Sequence, residues 1–150
     1  MPAQPTYKLM SEKVVLRFQD GSTIKGSLGY FSEIARKFSI EKHPSGNLLT
    51  VSIDLLKAIF FVRSFEGNPS YRELKRYGIS REKGRKVYVK FKDKESLLGY
   101  LEGEFPWQKG YFLSKSDKDK TGFFLIPVDE GCNNIKIFVV GTAIDDITLI

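Results

Sequence analysis

The stretch that decides the fold is Lys13-Val14-Val15-Leu16-Arg17-Phe18-Gln19-Asp20, and it recurs with substitutions as Lys86-Val87-Tyr88-Val89-Lys90-Phe91-Lys92-Asp93. In both segments apolar residues occupy every second position, which is the pattern of a β-strand with one buried face. We therefore predict two equivalent strands. The side chains predicted to be buried in them are Val14, Leu16, Phe18, Val87, Val89 and Phe91.

The similarity continues through both halves of the chain, so the sequence contains an internal repeat. The offset between matching residues is 73 at first and grows to 88, because the second half carries an insertion around 110–121. The further matching segments are 24–28 with 97–101, 38–40 with 124–126 (offset 86), and 58–62 with 146–150 (offset 88). A repeat of this length that is present twice indicates two copies of one small domain.

Each copy is predicted to contain about five short strands, because alternating segments are separated by turns at hairpin-scale spacing. Five bent strands in roughly 55–65 residues are typical of a small closed barrel of the SH3 or Sm type. The predicted fold class is therefore all-β, with two tandem five-stranded SH3/Sm-like small barrels joined by a basic, partly helical connector. The predicted units are an N-terminal tail at 1–12, the first barrel at 13–66, the connector at 67–85 and the second barrel at 86–150.

The first strand of each copy is followed by a different turn sequence. Asp20-Gly21 predicts a tight hairpin, because glycine tolerates the positive φ that such turns require. At the corresponding place, Asp93-Lys94-Glu95 predicts a longer or less ideal turn. Gly26 and Gly99 lie at equivalent places in the next strand, where glycine indicates a bulge or a sharp bend.

The composition excludes several classes of protein. The chain has 150 residues with 1 Cys, Cys132, and 1 His, His43. A single cysteine forms no internal disulfide, so a reducing cytoplasm is the expected location. One histidine and one cysteine do not supply a structural zinc site, and we expect neither a metal nor another cofactor. No apolar run approaches the roughly 20 residues of a membrane-spanning helix, so we expect no transmembrane segment.

Side chains suited to catalysis are sparse, and we expect no enzymatic activity. His43 has no second histidine to work with and Cys132 is distant in sequence, so neither a catalytic triad nor a Cys–His pair is indicated. Asp145 and Asp146 are adjacent in a predicted strand, so their side chains point to opposite faces and do not form an acid–base pair.

Positive charge is concentrated in the connector. The formal net charge is +6, and residues 67–86 contain 7 Lys/Arg against 2 Asp/Glu. Such a segment attracts phosphates or acidic surfaces, although the alternative is that its charges are simply solvated. Arg72 and Arg76 are spaced so that two guanidinium groups can bind one phosphate, and so are Arg81 and Arg85. These four arginines are the candidate anion-binding residues.

The pair Arg81 and Arg85 leads directly into a predicted barrel strand, an arrangement that resembles PilZ domains. The resemblance implies cyclic-dinucleotide binding through the connector arginines. Ser96-Leu97-Leu98-Gly99 has the serine and glycine of the second PilZ motif, but Lys94 occupies its acidic position. RNA binding by an Sm-like barrel is the other alternative, because small barrels present strands and loops to RNA and the net charge is positive.

One aromatic residue in a predicted loop is a candidate contact for a partner. Trp107 follows Pro106 at the start of the insertion, where it would anchor a protein partner or stack on a base. The alternative is that Trp107 folds down to cover an open end of the barrel.

Segments of both halves resemble an uncharacterised bacterial family of tandem small β-barrels, over about Lys13 to Ile150. The resemblance is carried by Gly122-Phe123-Phe124-Leu125-Ile126-Pro127-Val128-Asp129, by Asn133-Asn134-Ile135-Lys136-Ile137-Phe138-Val139-Val140, by Leu56-Lys57-Ala58-Ile59-Phe60-Phe61-Val62 and by Phe65-Glu66-Gly67-Asn68. It implies a bacterial cytoplasmic protein and carries over no site residue. Our prediction is a non-enzymatic binding or adaptor protein, with an unidentified protein as its partner.

Overall fold

The computed structural model describes residues 11–66, 85–102, 120–128 and 132–150. The strands are β1 (Glu12–Phe18), β2 (Thr23–Leu28), β3 (Lys37–Lys42), β4 (Leu48–Ser52), β5 (Leu56–Val62), β6 (Lys86–Phe91), β7 (Ser96–Leu101), β8 (Gly122–Pro127), β9 (Asn134–Val140) and β10 (Ile144–Leu149). A 3₁₀ turn precedes the last strand of each half, at Ile53–Leu55 and Gly141–Ala143. Within these ranges no helix is long and apolar enough to cross a membrane. The prediction of an all-β fold is confirmed.

The ten strands of the described residues form one antiparallel sheet, in the order β10-β6-β7-β8-β9-β5-β1-β2-β3-β4. In each half the last strand lies beside the first, and the remaining strands follow in chain order. The halves join where β5 pairs with β9, so the sheet is continuous across the molecule. The strand order and pairing alone do not establish that either half closes into a barrel, so the two closed barrels remain a prediction.

The strand pairings of the two halves correspond residue by residue. Leu16 faces Ile59 across β1 and β5, and Val89 faces Ile147 across β6 and β10. Both pairs of strands contain a register shift at the same place, which leaves one extra residue in the last strand of each half. That residue is Lys57 in β5 and Asp145 in β10. The shifts are β-bulges, which bend a strand locally.

The predicted alignment of the third strands, at an offset of 86, is wrong by one residue. Leu28 faces Ile40 across β2 and β3, and its counterpart Leu101 faces Leu125 across β7 and β8. Ile40 and Leu125 are both buried. The counterpart of Ile40 is therefore Leu125 and not Ile126. A shift of one residue transfers every side chain of a strand to its other face.

The turn after β6 is as tight as the turn after β1, so of the two predicted alternatives it is the less ideal turn and not the longer one. The Gly21 N–H donates to the Phe18 carbonyl at 3.0 Å, and the Lys94 N–H donates to the Phe91 carbonyl at 2.9 Å. Gly21 has a φ of 94° and Lys94 a φ of 80°. For a lysine this left-handed conformation carries a steric cost that it does not carry for glycine.

Two hydrophobic cores lie on opposite faces of the sheet. In β5, Ile59 belongs to the first core and its neighbour Ala58 to the second. In β9, Phe138 belongs to the first core and Val139 to the second. Successive side chains of a strand point to opposite faces. The two junction strands are therefore covered on both faces, and each core contains side chains from both halves.

The predicted burial of β1 and β6 is largely confirmed. Phe91 is 4% exposed, and four of the others are fully buried: Val14, Leu16, Val87 and Val89. Phe18 is only partly buried, and it packs against the first core. A Cβ on Gly26 would overlap the side chain of Ile40 and the carbonyl oxygen of Glu41, so glycine at this position permits the close approach of β3.

Candidate functional site: the junction and the sheet edges

A buried lysine marks the junction between the two halves. Lys57 is the extra residue of the β5 bulge, and its side chain is only 6% exposed. The bulge turns this side chain out of the alternating pattern and toward the second half. A buried ammonium group requires charged or polar partners, because removing it from water is costly.

The partners of Lys57 come from the turn between β6 and β7. Its Nζ donates to Asp93 Oδ2 at 2.8 Å and also to Glu95 Oε1. Arg17, on β1, binds the same Glu95 oxygen at 3.3 Å. The Lys57 ammonium also lies 4.8 Å from the centroid of the Phe91 ring, a favourable cation–π distance. Two cations of the first half therefore neutralise two carboxylates of the second.

Asp93 is held in place by its own turn as well as by Lys57. Its Oδ1 accepts a hydrogen bond from the Glu95 N–H at 3.0 Å. The hydrogen bond from Lys57, followed by that from the Glu95 backbone, lowers the pKa of Asp93 below its ordinary value. The carboxylate is therefore charged at neutral pH and available to pair with the lysine.

A cleft of about 250 Å³ opens beside this cluster, and it is lined by Gln19, Lys57, Phe91, Lys92, Asp93 and Ala143. The Gln19 amide donates to the carbonyl oxygens of Asp54 and Leu56, at 3.1 and 3.3 Å, and to the Thr142 hydroxyl at 3.4 Å. Lys57 and Gln19, two of the polar side chains in the wall, therefore already bind protein groups. The arrangement favours holding the two halves together over binding a ligand.

Aromatic rings form a second contact across the junction. Phe31, in the loop between β2 and β3, lies edge-on to Phe138 with a centroid separation of 4.8 Å. Lys136 of β9 lies over the rings of Phe61 and Phe124, at 5.0 and 4.8 Å. The junction therefore combines apolar packing on both faces of the sheet with the ion cluster at one end.

The outermost strands provide the other candidate surface. Among the described strands, β4 and β10 each have a neighbour on one side only. On β4, Leu48 is 78% exposed. On β10, Leu149 is 38% exposed, and Ile150 just beyond the strand is 62% exposed. A strand edge that exposes apolar side chains is a site where another strand can add.

The sequence-predicted site residues lie mostly outside the described residues. This is true of Arg72, Arg76, Arg81 and Trp107. Arg85 is described, and it is exposed immediately before β6. Anion binding by the connector, and with it cyclic-dinucleotide binding, therefore stays a prediction, as does a partner contact at Trp107.

The single histidine and the single cysteine both lie among the described residues. The His43 ring stacks on Phe65 with centroids 4.3 Å apart, and Cys132 is half-buried. Within the described ranges, no group of three or more His, Cys, Asp or Glu side chains could hold a metal ion. Sequence reasoning missed Lys57 as a site residue, although a lysine inside the apolar run 55–62 is a signal that the sequence contains.

The fold and these surfaces define an all-β protein with two halves of identical strand order, joined edge to edge into one sheet. The chain belongs to a family whose description is "Family of unknown function (DUF6982)", and the family model matches residues 10–150. This agrees with the predicted resemblance to an uncharacterised family. Comparison with curated proteins and with solved structures gives no match.

Proposed function

We propose that this protein is a non-enzymatic binding protein that takes up an extended polypeptide segment along the edge strand β4. The observation that carries the proposal is the β5–β9 junction, in which a strand adds to the fourth strand of one half. β4 is the fourth strand of the other half, and it has a neighbour only at β3 among the described strands.

The hydrogen-bonding groups of β4 support this proposal. The Ile53 N–H donates to the Arg36 carbonyl, and the Lys42 N–H donates to the Asn47 carbonyl. These two bonds define the two ends of the β3–β4 ladder. In an antiparallel ladder bonded and non-bonded pairs alternate, so Leu48 and Thr50 are in non-bonded pairs. Their N–H and C=O groups point to the free side of β4, where a partner strand can pair with them.

The side chains that such a partner needs are indicated by β5. In the junction Ile59 lies opposite Phe138 and packs in the first core, while Ala58 lies opposite Val139 and packs in the second. At β4 the positions of Ala58 and Phe60 would lie beside Val51 and Leu49 and face the first core, so a segment with apolar residues at every second position suits this edge. On β4 this edge contains Leu48 and the partly buried Leu49.

We also propose that each half is a small barrel of the SH3/Sm type. The support is the return of β5 to β1 and of β10 to β6, with matching registers and matching bulges. A meander whose last strand pairs with its first is the arrangement expected of a small barrel. In that arrangement the edge of the fourth strand is the natural docking position.

The test uses a peptide with the β5 sequence, residues 55–63, labelled with a fluorophore and carrying extra lysines for solubility. We expect fluorescence anisotropy to show saturable binding to the full chain, and no binding of a scrambled peptide of the same composition. Thr50→Pro removes an N–H from the free side of β4 without removing a bond to β3, so it should weaken binding by about tenfold or more.

The matched control is Ile147→Pro, which alters the free side of the other edge strand, β10. This variant should bind the β5 peptide as the wild-type chain does. Circular dichroism confirms that both variants are folded. Failure of the wild-type chain to bind the peptide, or equal loss of binding in both proline variants, would contradict the proposal.

A further inference from the structure

The junction inside this molecule is a template for joining one molecule to another. β5 and β9 are the fifth strand of one half and the fourth strand of the other. The corresponding strands at the ends of the sheet are β10 and β4. Pairing β10 of one copy with β4 of the next would repeat the junction head to tail, and such a contact generates rings or filaments.

The backbone does not prevent this pairing. The Ile150 N–H donates to the Lys86 carbonyl at 2.9 Å, which makes Ile147 and Leu149 members of non-bonded pairs with β6. Their N–H and C=O groups therefore point to the free side of β10. In the register of the β5–β9 junction these two residues would face Thr50 and Leu48, whose backbone groups point to the free side of β4.

The side chains oppose the pairing. Ala58 is fully buried in the junction and Phe60 is partly buried there. Their counterparts in β10 are Asp146 and Thr148, both exposed. A repeated junction would turn these two polar groups toward the apolar first core of a second copy. Burying a carboxylate without a partner is strongly unfavourable.

The charge at the bulge is also reversed. Lys57 pairs with Asp93 across the junction at 2.8 Å. The counterpart of Lys57 is Asp145, and the counterpart of Asp93 in the tight turn is Asp20. A repeated junction would therefore bring two carboxylates together. The repeated junction would also place Lys92 near Asp54, because their counterparts Gln19 and Thr142 are hydrogen-bonded across the existing junction. Lys92 and Asp54 are both exposed, and an exposed ion pair contributes little to the free energy of association.

We propose that Asp145, Asp146 and Thr148 close the β10 edge against a second copy of this chain. The described sheet then does not continue into a second copy, and the chain stays a monomer whose β4 edge is left for a different partner. Charged residues on an edge strand are a known protection against edge-to-edge association. The proposal concerns self-association, so it does not depend on the β5-like peptide binding at β4.

The experiment restores the junction side chains on β10 with Asp145→Lys, Asp146→Ala and Thr148→Phe. Sedimentation velocity should show the wild-type chain as a monomer and the triple variant as dimers or larger species, increasing with protein concentration. Because all three positions are exposed, the fold should tolerate the changes. The double variant Asp145→Lys, Asp146→Ala adds no aromatic residue and should show the same trend more weakly.

Two controls separate strand pairing from general stickiness. Adding Thr50→Pro to the triple variant should return it to a monomer, because the acceptor edge is then blocked. Adding Asp20→Lys to the triple variant should also reduce association, because the lysine introduced by Asp145→Lys would then meet a second lysine. The proposal is overturned if the folded variants remain monomeric, if Thr50→Pro leaves their association unchanged, or if the wild-type chain associates and Ile147→Pro abolishes that association.

Discussion

Replacement of Lys57 by methionine tests whether the ion cluster holds the two halves together. Methionine keeps an unbranched stem of similar length and removes the ammonium group. The variant loses the bonds to Asp93 and Glu95 and the contact with the Phe91 ring. The change also adds to the free energy of unfolding, because an ammonium group no longer has to be removed from water when the chain folds. The sign of the effect depends on which of these terms is larger.

The exposure of the partners sets the magnitude. A hydrogen bond to a charged group contributes about 1.5–3 kcal/mol to the free energy of unfolding. The side chains of Asp93 and Glu95 are 43% and 55% exposed, so water replaces part of what the lysine provided. The cost is therefore below the roughly 3–5 kcal/mol typical of breaking a fully buried pair, and we expect about 2 kcal/mol. In a chain of this size that lowers the Tm by about 4–8 °C.

Urea denaturation and thermal melting of the full chain measure this cost. The matched control is Lys92→Met, which removes an exposed lysine from the same cleft and should change the free energy of unfolding by less than about 0.5 kcal/mol. A double-mutant cycle with Asp93→Asn should give a coupling energy of about 1 kcal/mol between the two side chains. A Lys57→Met variant as stable as wild type, with no coupling to Asp93, would refute the reasoning.

The turns, the close contact of β2 with β3 and the ion cluster give three further predictions. Lys94→Gly should stabilise the chain by about 0.5–1 kcal/mol in urea denaturation, because relief of the left-handed strain exceeds the added entropy of the unfolded state. Gly21→Ala should destabilise the chain, and stabilisation by both changes would contradict this account. Gly26→Ala should cost about 2 kcal/mol or more, because its Cβ overlaps the β3 backbone; Gly29→Ala, with open space around its Cβ, should be tolerated, and equal melting temperatures for the two variants would count against the strand packing. The pKa of Asp93 is lowered chiefly by Lys57, so Asp93 contributes to stability above its unfolded pKa of about 3.9, and this contribution is lost as the pH falls through the folded pKa. The free energy of unfolding should therefore fall less between neutral and strongly acidic pH in Lys57→Met than in wild type.

The strands could be predicted from the sequence, because the alternation of apolar and polar residues that indicates a strand lies within the strand itself. Alternation in Val14, Leu16 and Phe18 sets the buried face without reference to the rest of the chain. The third strand of the second half lacks this signal. Phe123-Phe124-Leu125-Ile126 is apolar at four successive positions, so the alternation that would fix its register is absent. Phe124 instead contacts Phe138 on the opposite face from Leu125.

The sequence marks Lys57 as unusual, because this lysine interrupts the apolar run 55–62, but it does not indicate the partners of Lys57, because they come from a distant part of the chain. The lysine stands at the start of a predicted strand, where an exposed side chain is the usual expectation. Its burial follows from the bulge in β5 and from the turn at Asp93, which the β5–β9 pairing brings beside it. Neither the bulge nor the pairing has a local signature in the sequence.

Comparison of corresponding strands provides a sequence signal for the continuous sheet. A strand buried on both faces is apolar at successive positions, whereas an edge strand alternates. In β5 the residues Ala58, Ile59, Phe60 and Phe61 are apolar without interruption, and the equivalent stretch of β10 contains Asp146 and Thr148. In two isolated barrels these last strands would have equivalent surroundings and would need no such difference. The difference therefore indicates that one last strand lies inside a larger sheet and the other at its edge, where the structure has them.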